Sequence, residues 1–165
     1  MFFSRSSPEV AQDLLGKYLV RKINGKIFRY MITETEAYKG ENDLASHASK
    51  GRTVRTEVMF GEAGIFYVYL IYGVHSMLNI VTGKNGYPSA VLIRGVQEIS
   101  GPGRLAKALD ITRALNKVSA SKANNLWFED RGIVIDQKNI QATPRIGVDY
   151  AGPVWSKKLW RFVIK

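Results

Sequence analysis

The sequence predicts an α+β fold, a single domain over residues 1–165 built on a curved, mainly antiparallel sheet with a few peripheral helices. The chain has 165 residues, 45% of them apolar, which suffices for one buried core. Short runs of apolar, β-branched and aromatic residues recur between Gly- and Asn-containing turns, as in antiparallel sheets. Asn24-Gly25 between two such runs is a strong hairpin signal. Few segments have helical periodicity, so the helices are expected at the periphery.

The N-terminal third is predicted to contain one helix and one hairpin. The helix follows Ser6 and Ser7, which can cap it, accommodates Pro8 in its first turn and ends at Gly16. The hairpin strands cover residues 18–23 and about 26–35. Residues 39–62 are rich in Gly, Asn, Ser and charge, which predicts a long connection with only short helical pieces. Connections of that length are usually functional.

The rest of the chain predicts further strands and one more helix. Strands are expected over residues 65–72 (IFYVYLIY), 76–82 and 90–94. Gly101-Pro102-Gly103 opens a helix that extends to about Ala114. Short strands are predicted at 132–136, 145–148 and 159–164.

Composition favours an intracellular protein that binds nucleic acid. The net charge is +10 and the sequence pI is 9.9, which attracts phosphate polymers. The sequence has no long apolar run and no basic amphipathic helix, so no membrane association is expected. The absence of cysteine fits a reducing compartment. We expect a location in the cytoplasm or nucleoid, or in the nucleus of a eukaryote.

The segment Glu34-Thr35-Glu36-Ala37-Tyr38 is the first candidate for chemistry. On a continuous strand, Glu34, Glu36 and Tyr38 point to the same face. Two carboxylates beside an aromatic ring can perform general acid–base catalysis. They could instead bind a metal with Asp43 and His47, or form a solvated strand edge. The chain lacks cysteine and has only one other histidine, His75, so we expect His47 to stack or hydrogen-bond rather than bind a metal.

The aromatic strand and the basic residues suggest a nucleic-acid surface. Tyr67, Tyr69 and Ile71 fall on one face of the strand, and Phe66, Val68, Leu70 and Tyr72 on the other. Such stripes usually form core, but aromatic rings also stack on bases. Phosphate contacts are expected from the basic residues of the long connection and of the later helix, which are Lys50, Arg52, Arg55, Arg104, Lys107 and Arg113. The Gly-Pro-Gly turn could seat a further phosphate.

Six motifs in this order resemble the alkyladenine, or 3-methyladenine, DNA glycosylase family, the monofunctional purine type rather than the helix-hairpin-helix type. They are ETEAY (34–38), D-x-A-S-H (43–47), YVYLIYG (67–73), Met77-Leu78-Asn79-Ile80, VLIR (91–94) and SGPGRL (100–105). The resemblance covers nearly the whole chain, and its implied fold, a mixed domain around a curved antiparallel sheet, agrees with the prediction above.

The resemblance implies a role for each matching residue. Glu36 would activate water, with Arg94 close to it. Tyr38, His47 and Tyr69 would surround the flipped base, and Asn79 would exclude guanine by contact with its 2-amino group. Tyr72 would intercalate into the duplex. Independently of the resemblance, we expect DNA-backbone contacts from four of the basic residues named above, Arg52, Arg55, Arg104 and Lys107.

The implied activity is hydrolysis of the N-glycosidic bond of alkylated or deaminated purines in double-stranded DNA, by a monomer that needs no cofactor or metal. Glu34 is expected to be an ion-pair partner. Two alternatives stay open at this point. One is a metal-dependent nuclease that uses Glu34, Glu36, Asp43 and His47, and the other is a non-catalytic nucleic-acid-binding module. The family usually has a longer insertion where this chain has only residues 95–99.

Overall fold

The computed structural model describes residues 2–165, and within them it contains nine strands, three α-helices and several 3-10 turns. The helices are α1 (Ser7–Asp13), α2 (Pro102–Ala108) and α3 (Gly152–Trp155). The strands are β1 (Tyr18–Ile23), β2 (Lys26–Lys39), β3 (Phe66–Ile71), β4 (His75–Val81), β5 (Ser89–Val96), β6 (Ile99–Ser100), β7 (Leu126–Glu129), β8 (Ile140–Thr143) and β9 (Arg161–Ile164).

The strands form one curled antiparallel sheet in the order β3-β4-β5-β2-β1-β7. Strand β6 pairs with β5, and the β8–β9 pair joins β2. The α+β prediction is therefore confirmed. No helix among residues 2–165 is long and apolar enough to cross a membrane.

Strand β2 is the central strand, and it is longer than the sequence suggested. Its first half pairs with β1, and its second half lies between β5 and β9. The register with β5 shifts around Glu34, which marks a bulge. Bulges bend a strand and redirect its side chains, and they are frequent beside active sites. Here the bulge immediately precedes Glu36.

Helices α1 and α2 cover the sheet and complete the core. Val10 and Leu14 of the first helical segment are fully buried, as the helical spacing predicted. Leu105 and Leu109, at the second helix, pack into the same core cluster as Phe66 of β3. A second, smaller cluster joins the 3-10 turns of the long connection to Tyr67. The sheet face that carries Glu36 is therefore held between two packed regions.

The second predicted helix ends earlier than expected. It was predicted to extend to about Ala114 but ends at Ala108. Asp110 has a left-handed φ of 47°, which a continuing helix does not allow. The side chain of Thr112 then accepts a hydrogen bond from the amide of Ala114 and begins a separate 3-10 turn. The first helix likewise ends at Asp13 rather than at Gly16.

Two predicted strands are wrong, and three observed strands, β6, β7 and β8, were not predicted. Residues 132–136 and 145–148 pair with no strand. The first segment ends where the side chain of Asp136 caps a 3-10 turn, and the second is a turn held by side-chain contacts described below. Strands β7 and β8, which pair with β1 and β9, are short and partly exposed, so they lack a clear alternating pattern.

Candidate active site

A cavity of about 430 Å³ lies between β2, β3, β4, β5, the segment 45–47 and the segment 146–150. Its size is in the range of small-molecule sites. The predicted residues that line it are Glu36, Tyr38, His47, Arg55, Tyr69, Tyr72, Asn79 and Arg94. Arg52, Arg104 and Lys107 do not line it.

Glu36 is the buried acid of this cavity. Its side chain is fully buried, and its Oε1 lies 3.6 Å from Nη1 of Arg94. The backbone amide of Ile146 donates to the same oxygen at 2.8 Å. The hydroxyl of Tyr38 donates to Oε2 at 2.8 Å. Each carboxylate oxygen therefore has a donor, as a buried charge requires.

Burial raises the pKa of Glu36 above its ordinary value of 4.5, although Arg94, the Ile146 amide and Tyr38 all act to lower it. The raised pKa gives a more basic carboxylate, which suits a general base. Burial, together with the charge of Glu36, also raises the pKa of Tyr38. Tyr38 thus stays protonated and remains a donor to Glu36.

Glu34, two residues before Glu36 on β2, differs from Glu36 in its hydrogen-bond partners. Its Oε1 accepts hydrogen bonds from Nε of Arg94 at 2.8 Å and from Nε of Arg161 at 2.6 Å. The expectation that Glu34 is an ion-pair partner agrees with these contacts. Glu34 holds Arg94 by its Nε, so that Nη1 of Arg94 faces Glu36.

Three rings form an aromatic corner of the cavity. The rings of His47 and Tyr69 are 4.6 Å apart and nearly perpendicular, and those of Tyr67 and Tyr69 are 5.1 Å apart. Nδ1 of His47 lies 3.0 Å from the hydroxyl of Tyr67. His47 is thereby fixed in the 3-10 turn that begins after Ser46. The two predicted pocket residues thus lie side by side, and Tyr38 lines another part of the cavity.

His47 is neutral at physiological pH. Burial, together with the positive charges of Arg55 and Lys50, lowers its pKa to about 4. A neutral imidazole does not repel a cationic ligand. Burial also raises the pKa of Tyr69, so the Tyr69 side chain stays uncharged.

Asn79 lies in the cavity wall on β4 and is 3% exposed. Its amide nitrogen donates to the carbonyl oxygens of Tyr67 at 3.2 Å and Met77 at 3.3 Å. Both amide hydrogens are therefore used on the backbone. These two hydrogen bonds hold the side chain in one orientation in the cavity wall.

Tyr72 occupies the tip of the β3–β4 hairpin at the rim of the cavity. It is 91% exposed and has a φ of 52°, in the left-handed region. The following Gly73 also has a positive φ, and the amide of Val74 closes the turn on Ile71. The turn projects an aromatic ring into solvent beside the cavity.

The predicted DNA-backbone residues are all exposed, as are Lys50 and Arg113. The guanidinium of Arg55 lies 5.0 Å from the ring centre of Tyr69, and that of Arg52 lies 4.9 Å from the ring centre of Phe60. Arg104 and Lys107 belong to α2, whose first residue, Pro102, borders the cavity. The segment Gly101–Gly103 begins this helix, which is too short to form an anion site by itself.

The predicted alternative metal ligands do not come together. Asp43 is fully buried and paired with Arg145, and Glu34 is paired with two arginines. Among residues 2–165, no three His, Asp or Glu side chains are grouped so that they could hold a metal ion. All four residues considered for a nuclease centre, Glu34, Glu36, Asp43 and His47, thus have other partners.

Sequence comparison identifies the family. A sequence model of the methylpurine-DNA glycosylase family matches residues 1–165. The chain belongs to this family. It is therefore an enzyme of the DNA glycosylase class, and neither the nuclease nor the non-catalytic alternative fits this membership.

Close relatives occur in archaea and bacteria. The chain is 48% identical to a protein of Methanocella arvoryzae, over 99% of this chain and 90% of the relative. It is 44% identical to proteins of Anaeromyxobacter sp. and Myxococcus xanthus, over 99% of this chain and 87% and 88% of those relatives. All three bear the name "Putative 3-methyladenine DNA glycosylase".

In this glycosylase, the short segment 95–99 is a tight hairpin turn. Val96 and Ile99 pair directly, so β5 turns straight into β6. Gly95 lies against the side chain of Glu34, where a Cβ atom would come within 3.1 Å of the Glu34 Cβ. With this short turn, Leu92 and Arg94 of β5 line the cavity.

Several groups at the glycosylase site are not predicted from the sequence. The segment 145–150 supplies three of these groups, namely Arg145, the Ile146 amide and Tyr150. The fourth is Asp43, which pairs with Arg145. No local pattern identifies them, because their partners are about a hundred residues away in the chain. Tyr67 could have been found, since it alternates with Tyr69 on the same face of β3.

Proposed function

We propose that this enzyme is a monofunctional glycosylase that flips alkylated purines out of double-stranded DNA, hydrolyses the N-glycosidic bond with an activated water and leaves an abasic site for base excision repair. The supporting observation is the buried, hydrogen-bonded Glu36 in a cavity that aromatic side chains line. A base cannot be attacked inside the duplex stack, so it must enter such a cavity.

The cavity walls suit an alkylated purine. Methylation at N3 or N7 makes the base cationic, and electron-rich rings attract cations. Tyr38 and Tyr69 supply such rings, and the neutral His47 adds no opposing charge. Asn79, held by its two backbone hydrogen bonds, limits the shape of the accepted purine.

Glu36 acts as the general base. It takes a proton from a water molecule as the water oxygen attacks C1′ of the nucleotide. The bond from C1′ to the purine nitrogen breaks, and its electron pair leaves with the base, which is neutral if it was cationic. The negative charge of Glu36 also stabilises the oxocarbenium-like transition state.

Arg94 helps to keep Glu36 ionised, because its guanidinium lies 3.6 Å from the carboxylate. No lysine lines the part of the cavity that residues 2–165 form, which supports water rather than an amine as the nucleophile. The product is then an abasic site in an uncut strand.

Tyr72 fills the space that the flipped nucleotide leaves, and Arg52, Arg55, Arg104 and Lys107 contact the phosphates. The enzyme acts as a monomer on chromosomal DNA inside the cell, without a cofactor, and deaminated purines are also substrates. These roles rest on the exposure of Tyr72 and of the basic residues, together with the net charge of +10.

The test is release of free base from methylated duplex DNA in the presence of EDTA. We expect release of methylated purine, with strand breaks only after alkali or heat. Glu36→Gln should lower the release rate by about 10²–10⁴-fold and retain DNA binding. Glu57→Gln makes the same change at an exposed carboxylate and should retain activity.

Two results would contradict the proposal. Direct strand scission that EDTA abolishes would indicate a nuclease. Near-normal base release by Glu36→Gln would remove Glu36 from the role of general base.

A further inference from the structure

Among residues 2–165, one ion pair has both side chains fully buried, and neither of its residues lines the active-site cavity. Both side chains, Asp43 and Arg145, are fully buried. Nη1 and Nη2 of Arg145 donate to the two carboxylate oxygens of Asp43 at 2.6 and 2.8 Å. The same two nitrogens also donate to the carbonyl oxygens of Ala37 and Trp155. The guanidinium lies 4.9 Å from the ring centre of Tyr38.

This pair joins two segments that both contribute to the active site. Asp43 begins the turn that leads to His47, and it accepts hydrogen bonds from the amides of Lys39 and Ala45. Arg145 directly precedes Ile146, whose amide donates to Glu36. A second link between the segments is the hydroxyl of Tyr150, which donates to the carbonyl oxygen of Ala45.

Few other contacts hold the Ile146 amide in place. The Ile146 side chain is 51% exposed, and no strand pairs with the segment. On one side the backbone is fixed by Arg145, and on the other by Val148, which packs against Ala45. Arg145 is therefore the nearest fixed point to the amide that contacts Glu36.

Stability alone does not account well for this pair. Burying two charges costs solvation free energy, and replacing a buried ion pair with apolar residues is often neutral or stabilising. The Nε atom of Arg145 is also buried without a hydrogen-bond partner, which adds a further cost. A bidentate pair does, however, fix geometry. A geometric role at the active site therefore explains the arrangement better than a contribution to stability does.

We infer that Arg145, clamped by Asp43, is a positioning residue that holds the Ile146 amide on Glu36 and so keeps the general base ionised and oriented. This inference rests on the proposed role of Glu36. Arg145 itself does not line the cavity, so it acts through the Ile146 amide.

Other charged or titratable groups also act on Glu36, and none of their side-chain hydrogen bonds is made to Arg145. They are Arg94 on β5, Glu34 and Tyr38 on β2, Arg161 on β9 through Glu34, Tyr69 on β3, and Tyr150. A hydrogen bond to the ionised form of an acid lowers its pKa. Loss of the Ile146 amide should therefore raise the pKa of Glu36 further and move the acid limb of the pH–rate profile to higher pH.

The kinetic test compares Arg145→Met and Arg145→Lys with Arg29→Met. Arg29 is partly exposed on β2 and paired with Glu129, so the control removes the same charge far from the cavity. We expect Arg145→Met to lower kcat for base release by about 10- to 100-fold. Its acid limb should move to higher pH, and its KM should change little. Arg145→Lys should restore part of kcat, and Arg29→Met should match the wild type.

A double variant separates positioning from general damage to the fold. If Arg145 acts only through Glu36, Arg145→Met should not reduce the residual rate of Glu36→Gln any further. A further reduction, or a lower kcat with an unmoved acid limb, would show that Arg145 only supports the fold and would overturn the inference.

A measurement on the unaltered protein covers the case in which Arg145→Met does not fold. The amide proton resonance of Ile146 should titrate with the pKa of Glu36, and this titration should disappear in Glu36→Gln. A resonance that does not move with pH would overturn the inference. This measurement needs no activity, so it stays informative even if the wild type releases no base and the proposed function fails.

Discussion

Glu36 must be ionised to act as a base, yet its burial favours the protonated form. Its pKa is raised in the folded protein, so the folded state binds a proton more tightly than the unfolded state does. The stability that this protonation contributes is fully present below the ordinary pKa of 4.5 and is lost as pH rises through the folded-state pKa. At neutral pH the ionised Glu36 therefore destabilises the fold.

Glu36→Gln should consequently be more stable than the wild type at neutral pH while it loses activity. The gain should shrink as the pH falls through the pKa of Glu36, because both proteins are then neutral at this position. Thermal unfolding at neutral pH and at a pH below the pKa of Glu36 measures the effect. Each kcal/mol of added stability should raise Tm by about 2–4 °C in a chain of this size. Glu57→Gln serves as the control. A Gln variant that is less stable at neutral pH would show that the lost contact with Arg94 is the larger effect.

Asn79 is expected to decide which purines fit. An adenine-type lesion presents a C2 hydrogen at the minor-groove edge, whereas guanine presents an amino group. Because two backbone hydrogen bonds hold Asn79 in place, we expect it to exclude the larger group by steric conflict. Asn79→Ser should raise the release of normal guanine relative to 3-methyladenine, by about tenfold for each 1.4 kcal/mol of conflict removed. Equal losses on both substrates would mean that Asn79 only supports β4.

At the scale of elements, the β3–β4 hairpin combines backbone strain with exposure. Tyr72 adopts a left-handed conformation, which costs a residue with a Cβ roughly 1–2 kcal/mol. Because its side chain is 91% exposed, burial of apolar surface offsets little of this free-energy cost. Tyr72→Gly should therefore be about 1 kcal/mol more stable than Tyr72→Ala, as chemical unfolding can measure. This residue is strained at the position where a wedge would enter DNA.

Both Tyr72 variants should release less base from duplex DNA than the wild type, by about 10- to 100-fold if one stacking contact is lost. Release from lesions in single-stranded or loosely paired DNA should change little, because no wedge is needed there. A fluorescent base analogue in the duplex would report less flipping. An equal loss on both kinds of DNA would place Tyr72 in base binding rather than in extrusion.

Some elements of the fold can be predicted from the sequence, and others cannot. Strands with alternating apolar residues, such as β3 and β4, and the Asn24-Gly25 hairpin were predicted because their signals are local. The segment 145–148 has strand-like composition, but Arg145 pairs with Asp43 and the Ile146 amide contacts Glu36. These partners are distant in the chain, so local patterns could not predict the turn. The same limit hid Arg145 and Ile146 from the predicted site, whereas Glu36, Tyr38 and Arg94 were recognisable from their motifs.

At the scale of the whole molecule, the charge of +10 should appear as a salt-dependent affinity for DNA. Basic residues that contact phosphates release bound counterions, so log affinity falls with log salt by about 0.9 for each contact. With about four to six contacts, the slope should lie between about −3.6 and −5.4. Fluorescence anisotropy of a labelled duplex over a range of NaCl concentrations measures this slope.

Single variants then show which basic residues contribute to the salt dependence of DNA affinity. Arg104→Gln and Lys107→Gln, on the helix whose first residue borders the cavity, should each make the slope less steep by about 0.9. Arg29→Gln removes the same charge from a residue that Glu129 already pairs, and it should leave the slope unchanged. Because counterion release counts contacts rather than net charge, equal changes in all three variants would show that the overall charge attracts DNA without a defined face. A slope near zero in the wild type would show that the net positive charge does not contribute to DNA binding.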